Sequence, residues 1–172
     1  MFKNLLILIV LAGVGALPFI FREPPPAGNW KEGDPVLVIV SPHNEAIRFE
    51  FATAFARWHE AKFGRPVKID WRSIGGTTEI SRYLLAEFTT STRGWWQRQG
   101  KTWPSGATDA LTAKAPPARA DLLEIYNGFR GVDSPDQISS GIDLFFGGGE
   151  YDHAELFARG GTVPPWPVDQ PP

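Results

Sequence analysis

Five consecutive apolar residues, Val36-Leu37-Val38-Ile39-Val40, most of them β-branched, constrain this chain more than any other feature. Such a run suits a strand buried on both faces within a parallel sheet. It ends at Ser41-Pro42-His43-Asn44, where Ser41 can cap a helix with Pro42 at its first position, or Asn44 can cap it one turn later. A helical pattern follows, with Ile47, Phe51, Phe55 and Trp58 on one stripe and a smaller patch of Phe49, Ala52, Ala56 and Phe63, so packing on two sides is expected. Gly64 stops this helix and Pro66 prevents its return. Val67 to Trp71 alternates as a second strand, and Ser73 to Thr78 leads into a helix with Ile80, Leu84, Leu85 and Phe88 on one face. The order strand, helix, strand, helix predicts an α/β protein with a right-handed parallel sheet.

Further along, the rhythm weakens and then returns. Between Thr89 and Ala118 the tryptophans 95, 96 and 103 sit among Gly, Ser, Thr and basic residues, which predicts a long loop. For the Trp95-Trp96 pair an ordinary structural role is expected over a stacking surface or an edge covered by a partner domain. A short amphipathic helix carries Leu122, Ile125, Tyr126 and Phe129, and Asp133 to Gly141 is a turn-rich connector. Ile142 to Phe146 forms the third strand, and Gly147 to His153 opens a last helix with Ala154, Leu156 and Phe157. The expected architecture is a partial doubly wound parallel sheet of three βα units over residues 36–163. It contains an insertion at 89–141, follows a Pro-rich spacer at 23–35 and precedes a Pro-rich tail at 164–172.

Residues 1–22 carry an address. Lys3 precedes an uncharged apolar run from Leu5 to Phe21, between the length of a secretory h-region and that of a spanning helix. A cleaved signal peptide and an uncleaved anchor formed by residues 5–21 both remain open, and either sends the protein to the periplasm or the cell exterior. The chain has no cysteine, so disulfides, thiolate metal sites and a lipid-modified cysteine are excluded. A formal charge of −2 gives no footprint for nucleic acid.

Three strand-to-helix loops, Ser41–Asn44, Ser73–Thr78 and Gly147–His153, collect the chemistry. In an open parallel sheet they gather at the carboxyl edge, where unpaired backbone N–H groups at helix starts can hold an anion or a polar oxygen. Gly75 and Gly76 permit close approach, Thr77 and Thr78 add hydroxyls, and three successive glycines at 147–149 are conformationally costly unless something needs them. The alternative for Gly75-Gly76 is a tight turn, with Thr78 a helix cap. His43 and His153 occupy equivalent loops, but a third metal ligand is lacking, so no metal or cofactor is expected. No nucleotide-loop, hydrolase-elbow or zinc-protease motif is present, and no enzyme is expected.

Read together, VLVIVSPHNEAIRFEFATAFARWHEAKFG, VKIDWRSIGGTTEISRYL and IDLFFGGGEYDH resemble the first lobe of an extracellular solute-binding protein of ABC importers, of the type II periplasmic fold. The resemblance spans about Val36 to Val163. It implies two lobes that close on a small solute and then dock on an ABC permease in the membrane. Ser41, His43, Asn44, Gly76, Thr77, Thr78, Gly148, Gly149 and Tyr151 stand at the matching loop positions. The implied solute is small and polar or anionic, a phosphorylated sugar or a ferric or other metal chelate among them. The resemblance implies a second lobe beyond these residues, so the chain is expected to be a fragment, a split-gene product or a degenerate copy. Iron-ligating tyrosines usually come from that lobe, so no iron site carries over. A membrane-tethered envelope protein that presents this lobe to a protein partner is the competing expectation.

Overall fold

The computed structural model describes residues 2–21, 29–131 and 137–163. The spacer residues 22–28, part of the connector at 132–136 and the tail at 164–172 lie outside the described residues. The first helix, α1 (Phe2–Ile20), leaves its described leucines, isoleucines and valines exposed. Among the described residues no helix is long and apolar enough to cross a membrane.

Three strands make one parallel sheet: β1 (Val36–Val40), β2 (Lys68–Arg72) and β3 (Leu144–Phe145), in the order β2-β1-β3. The register pairs Val36 with Lys68 through Val40 with Arg72, and Val40 also with Phe145. From β1 the chain moves to one side to make β2, then crosses to the other side to make β3. That reversal is the doubly wound pattern, and its switch point lies at the carboxyl ends of β1 and β3. The third strand is shorter than the expected 142–146. Asp143 donates its N–H to the Val38 carbonyl (2.9 Å) while its own carboxylate accepts the Val38 N–H (2.7 Å). A side chain thus takes the place of a strand carbonyl, and regular pairing begins only at Leu144.

Helices cover both faces. On one, Val40 and Phe145 pack with Ile80 and Leu84 of α3 (Thr77–Arg98) and Leu156 of α6 (Glu150–Ala158). On the other lies α2 (Glu45–Phe63), capped by Asn44, whose Oδ1 accepts the Ile47 N–H, and ended by Gly64 in the left-handed region. Its buried residues are Ala52, Thr53 and Ala56. The expected core stripe is turned outward: Ile47, Phe51 and Trp58 are exposed, and Phe55 is half-buried. The reason is space. The Trp71 and Phe146 rings, 6.2 Å apart, already fill the sheet surface, and only small side chains let the helix approach it. The displaced aromatics pack along the helix, Phe55 on Trp58 at 5.4 Å and Trp58 on Phe63 at 5.8 Å, with the Lys62 ammonium 4.8 Å from the Trp58 ring.

The region expected to be a loop is largely helical. The α3 helix continues to Arg98, and α4 (Ala107–Leu111) and α5 (Ala120–Arg130) follow. Thr89 and Thr92 suit the helix interior by donating their hydroxyls to the carbonyls of Leu85 and Phe88 (2.7 Å each). Trp96 is 4% exposed and anchors a second core with Ala107, Leu111, Ile125, Phe129 and Ile138. Its indole N–H donates to the Thr102 carbonyl, and the Trp95 ring lies against Gly128, where a Cβ would come within 2.7 Å. The tryptophans are therefore packing residues. Arg130 stitches this core together by donating to the carbonyls of Leu111 and Ala113 (2.9 Å each) over the Tyr126 ring. Partial burial lowers its pKa from the usual arginine value.

Two predictions follow from this packing. Leu156→Ala removes a fully buried side chain from the sheet core and is expected to cost about 2–5 kcal/mol in urea unfolding. Glu155 is held below the usual carboxylate range by its hydrogen bond from Lys114 (2.6 Å) and then by that from Arg159 (2.8 Å). A lowered carboxylate stabilises the fold above its unfolded value and loses that effect as pH falls through the native one. Melting temperatures of the native protein and Glu155→Gln should therefore differ at neutral pH and converge below about pH 4.

Candidate functional site

Ser41 follows β1 directly, 1% exposed, with its N–H directed at the Arg72 carbonyl (3.4 Å). It does not cap α2. Its Oγ accepts the His43 N–H (3.2 Å) and shares a hydrogen bond with His43 Nδ1 (2.9 Å). The imidazole is held from its other side by Phe146, with ring centres 5.0 Å apart.

The glycines bring the other two loops to this one. Gly147 adopts φ +104°, and a Cβ there would lie 2.4 Å from His43 Cε1, so only glycine lets the ring sit against this backbone. Gly148, at φ +86°, faces the Thr77 methyl, 3.2 Å from where its Cβ would be, and Asp152 Oδ2 at 3.3 Å. His153 donates from Nε2 to the Gly147 carbonyl (2.8 Å) and packs on Phe145 at 4.8 Å. The loops after all three strands thus meet: His43 on Gly147, and Gly148 on Thr77.

The remaining positions divide by role. Asn44 spends its side chain on the α2 cap. Gly76 is the cap residue of α3 without a side-chain bond, so Thr78 does not cap; it is exposed in the first turn. Gly149 is the cap residue of α6, and its N–H donates to Asp152 Oδ2 (2.9 Å). Glu79 turns its carboxylate over the start of α3, 3.1 Å from where a Gly76 Cβ would stand. The chain's own oxygens therefore sit at all three helix starts. Tyr151 is 78% exposed. Among the described residues no group of three His, Cys, Asp or Glu can hold a metal ion.

Two donors were not singled out from the sequence. Arg48 Nε and Trp71 Nε1 are both buried and have no hydrogen-bond partner among the described residues. Arg48 is four residues before Ala52 and eight before Ala56, which puts it on the row of α2 that faces the sheet. Trp71 is the penultimate residue of β2 and touches Phe146. A cation among alanines at helical spacing was the available signal, obscured by the larger aromatic stripe beside it. A separate, mostly apolar cleft of about 920 Å³ opens between α3, α6 and the outer edge of β3, lined by Leu37, Leu84, Phe88, Ile142 and Phe157 among others.

No family model matches the chain, nor does any curated protein or solved structure. The loop cluster makes its own prediction. Gly147→Ala combines a positive φ with a clash against His43 and is expected to destabilise the protein by about 1–3 kcal/mol. The His43 side-chain resonances should shift with it in NMR spectra, whereas Gly141→Ala, with open space around it, should leave them unchanged.

Proposed function

We propose that this protein is an exported solute-binding lobe of the type II periplasmic class, serving an ABC importer. The observation that supports this best is the meeting of three strand-to-helix loops at the carboxyl edge of a sheet ordered β2-β1-β3. That edge is where open α/β sheets hold their ligands. The site offers the His43 imidazole, an exposed hydroxyl at Thr78 and exposed backbone at Gly148 and Gly149. A small polar or anionic solute, free or as a metal chelate, is the ligand this set suits. On this reading a second lobe closes over the solute, and the closed pair docks on the permease. No catalytic residue is invoked.

Export rests on α1. The uncharged apolar run from Leu5 to Phe21 lies between the length of a secretory h-region, about 7–15 residues, and that of a span, about 20.

A second reading is supported by the aromatic stripe of α2. Exposed Phe51, Trp58 and Phe63 form a contact surface for a protein partner, with the lobe tethered at the membrane surface and taking no solute.

A thermal-shift screen of the full chain with phosphate, citrate, sugar phosphates, neutral sugars and ferric chelates separates the two. Solute capture predicts a rise in melting temperature that grows with ligand concentration, about 2.7 kcal/mol of stabilisation at a hundredfold excess over Kd. If no compound moves the midpoint and none binds by calorimetry, capture is wrong for this chain and the partner-presenting reading stands.

A further inference from the structure

The α6 helix closes with Gly160 and Gly161, whose N–H groups donate to the carbonyls of Phe157 (2.9 Å) and Leu156 (2.8 Å). Close neighbours fix this turn. A Cβ at Gly160, where φ is +75°, would stand 2.9 Å from the Phe129 ring, and one at Gly161 would stand 3.3 Å from both Leu85 and Leu156. The turn carries Thr162 and Val163 into the wall of the cleft of about 920 Å³ beside β3. An adjoining cavity of about 600 Å³ shares those two residues with it, together with Phe88, Ile142 and Phe157. The apolar walls are open to solvent: Phe157 is 59% exposed, Leu144 40% and Val163 84%. They flank β3, an edge strand of the sheet, and an open apolar edge invites pairing with another chain.

Val163 is followed in the sequence by Pro-Pro-Trp-Pro-Val-Asp-Gln-Pro-Pro, residues 164–172. Proline has no N–H to give a helix or an inner strand, and proline-rich segments instead recognise aromatic-lined grooves. Trp166 comes three residues after Val163, within about 10 Å even of a fully extended chain, so it can enter the groove with no rearrangement of the described fold. A short tether also keeps such an anchor at an effective concentration of about millimolar, which a free occupant must exceed. We propose that the groove between α3, α6 and β3 is the docking site of the chain's own proline-rich tail, with Trp166 as its anchor against Phe88, Ile142 and Phe157. The docked tail covers the open edge of β3. This goes beyond solute capture and does not depend on it, since the loops of that site lie at the carboxyl edge of the sheet.

The test uses the full chain labelled with 5-fluorotryptophan, in which Trp166→Phe identifies the Trp166 resonance among those of the seven tryptophans. The expected result is a fluorine resonance displaced from its position in the urea-unfolded chain, and moved at least halfway back to that position by Phe157→Ala. A Trp166 resonance at the unfolded position in the native protein overturns the proposal, as does a displaced one that Phe157→Ala leaves unchanged. Displacement seen only at high protein concentration also overturns it, placing the tail in the groove of a second copy. Should Phe157→Ala not fold, a free peptide of residues 164–172 decides, added to the native chain at about ten times the millimolar tether concentration. Return of the Trp166 resonance toward the unfolded position supports self-docking, and no movement overturns it.

Discussion

The attachment of β3 to β1 is the contact on which the rest of this molecule depends. It is a slender one: a two-residue strand, the Asp143 N–H and carboxylate bracketing Val38, and the Phe146 N–H donating to the Val40 carbonyl. Yet it makes β1 the central strand, and a central strand is what creates a reversal of strand order. Without it, β1 and β2 would form a two-stranded ribbon, and the Gly147 loop would have no reason to lie beside His43. Phe145 and Phe146, on opposite sides of this short strand, then lock the helices of both faces. Phe145 enters the core with Leu84 and Leu156, and Phe146 meets Phe51 and Trp71.

The site inherits its character from that geometry. Glycine at 147 and 148 lets two loops touch a third with no side chain between them, which produces a crowded cluster rather than an open bowl. Crowding explains why so many polar groups there satisfy one another: Ser41 with His43, His153 with Gly147, and Asp152 with Gly149. Among the described residues, Arg48 Nε and Trp71 Nε1 are buried side-chain donors without a hydrogen-bond partner.

Much of the framework was legible from residue order. The β-branched run at 36–40, the alternation at 67–71, the Gly64 stop and the apolar face of Leu122, Ile125, Tyr126 and Phe129 each produce the expected element. The helical extension of α3 through Thr89–Arg98 was not legible. Its threonines and paired tryptophans have no strong helical preference of their own, and they become helical because Trp96 is buried against α4 and α5 and Thr92 is buried with its hydroxyl bonded to the Phe88 carbonyl. The orientation of α2 was hidden for a related reason. Two apolar faces compete on that helix, and the rings of Trp71 and Phe146, distant in sequence, decide which one fits.

By itself, then, the order of residues determined the α/β class, the parallel strands and the three loops that end them, because these follow from local periodicity and from where glycine and proline interrupt it. Tertiary structure alone decided which face of α2 is buried, that the tryptophan-rich segment is a second core, and that Arg48 and Trp71 are left without partners. Those outcomes depend on volumes and acceptors contributed by residues far apart in the chain. No local pattern records whether a side chain across the sheet has already taken the space or the hydrogen bond.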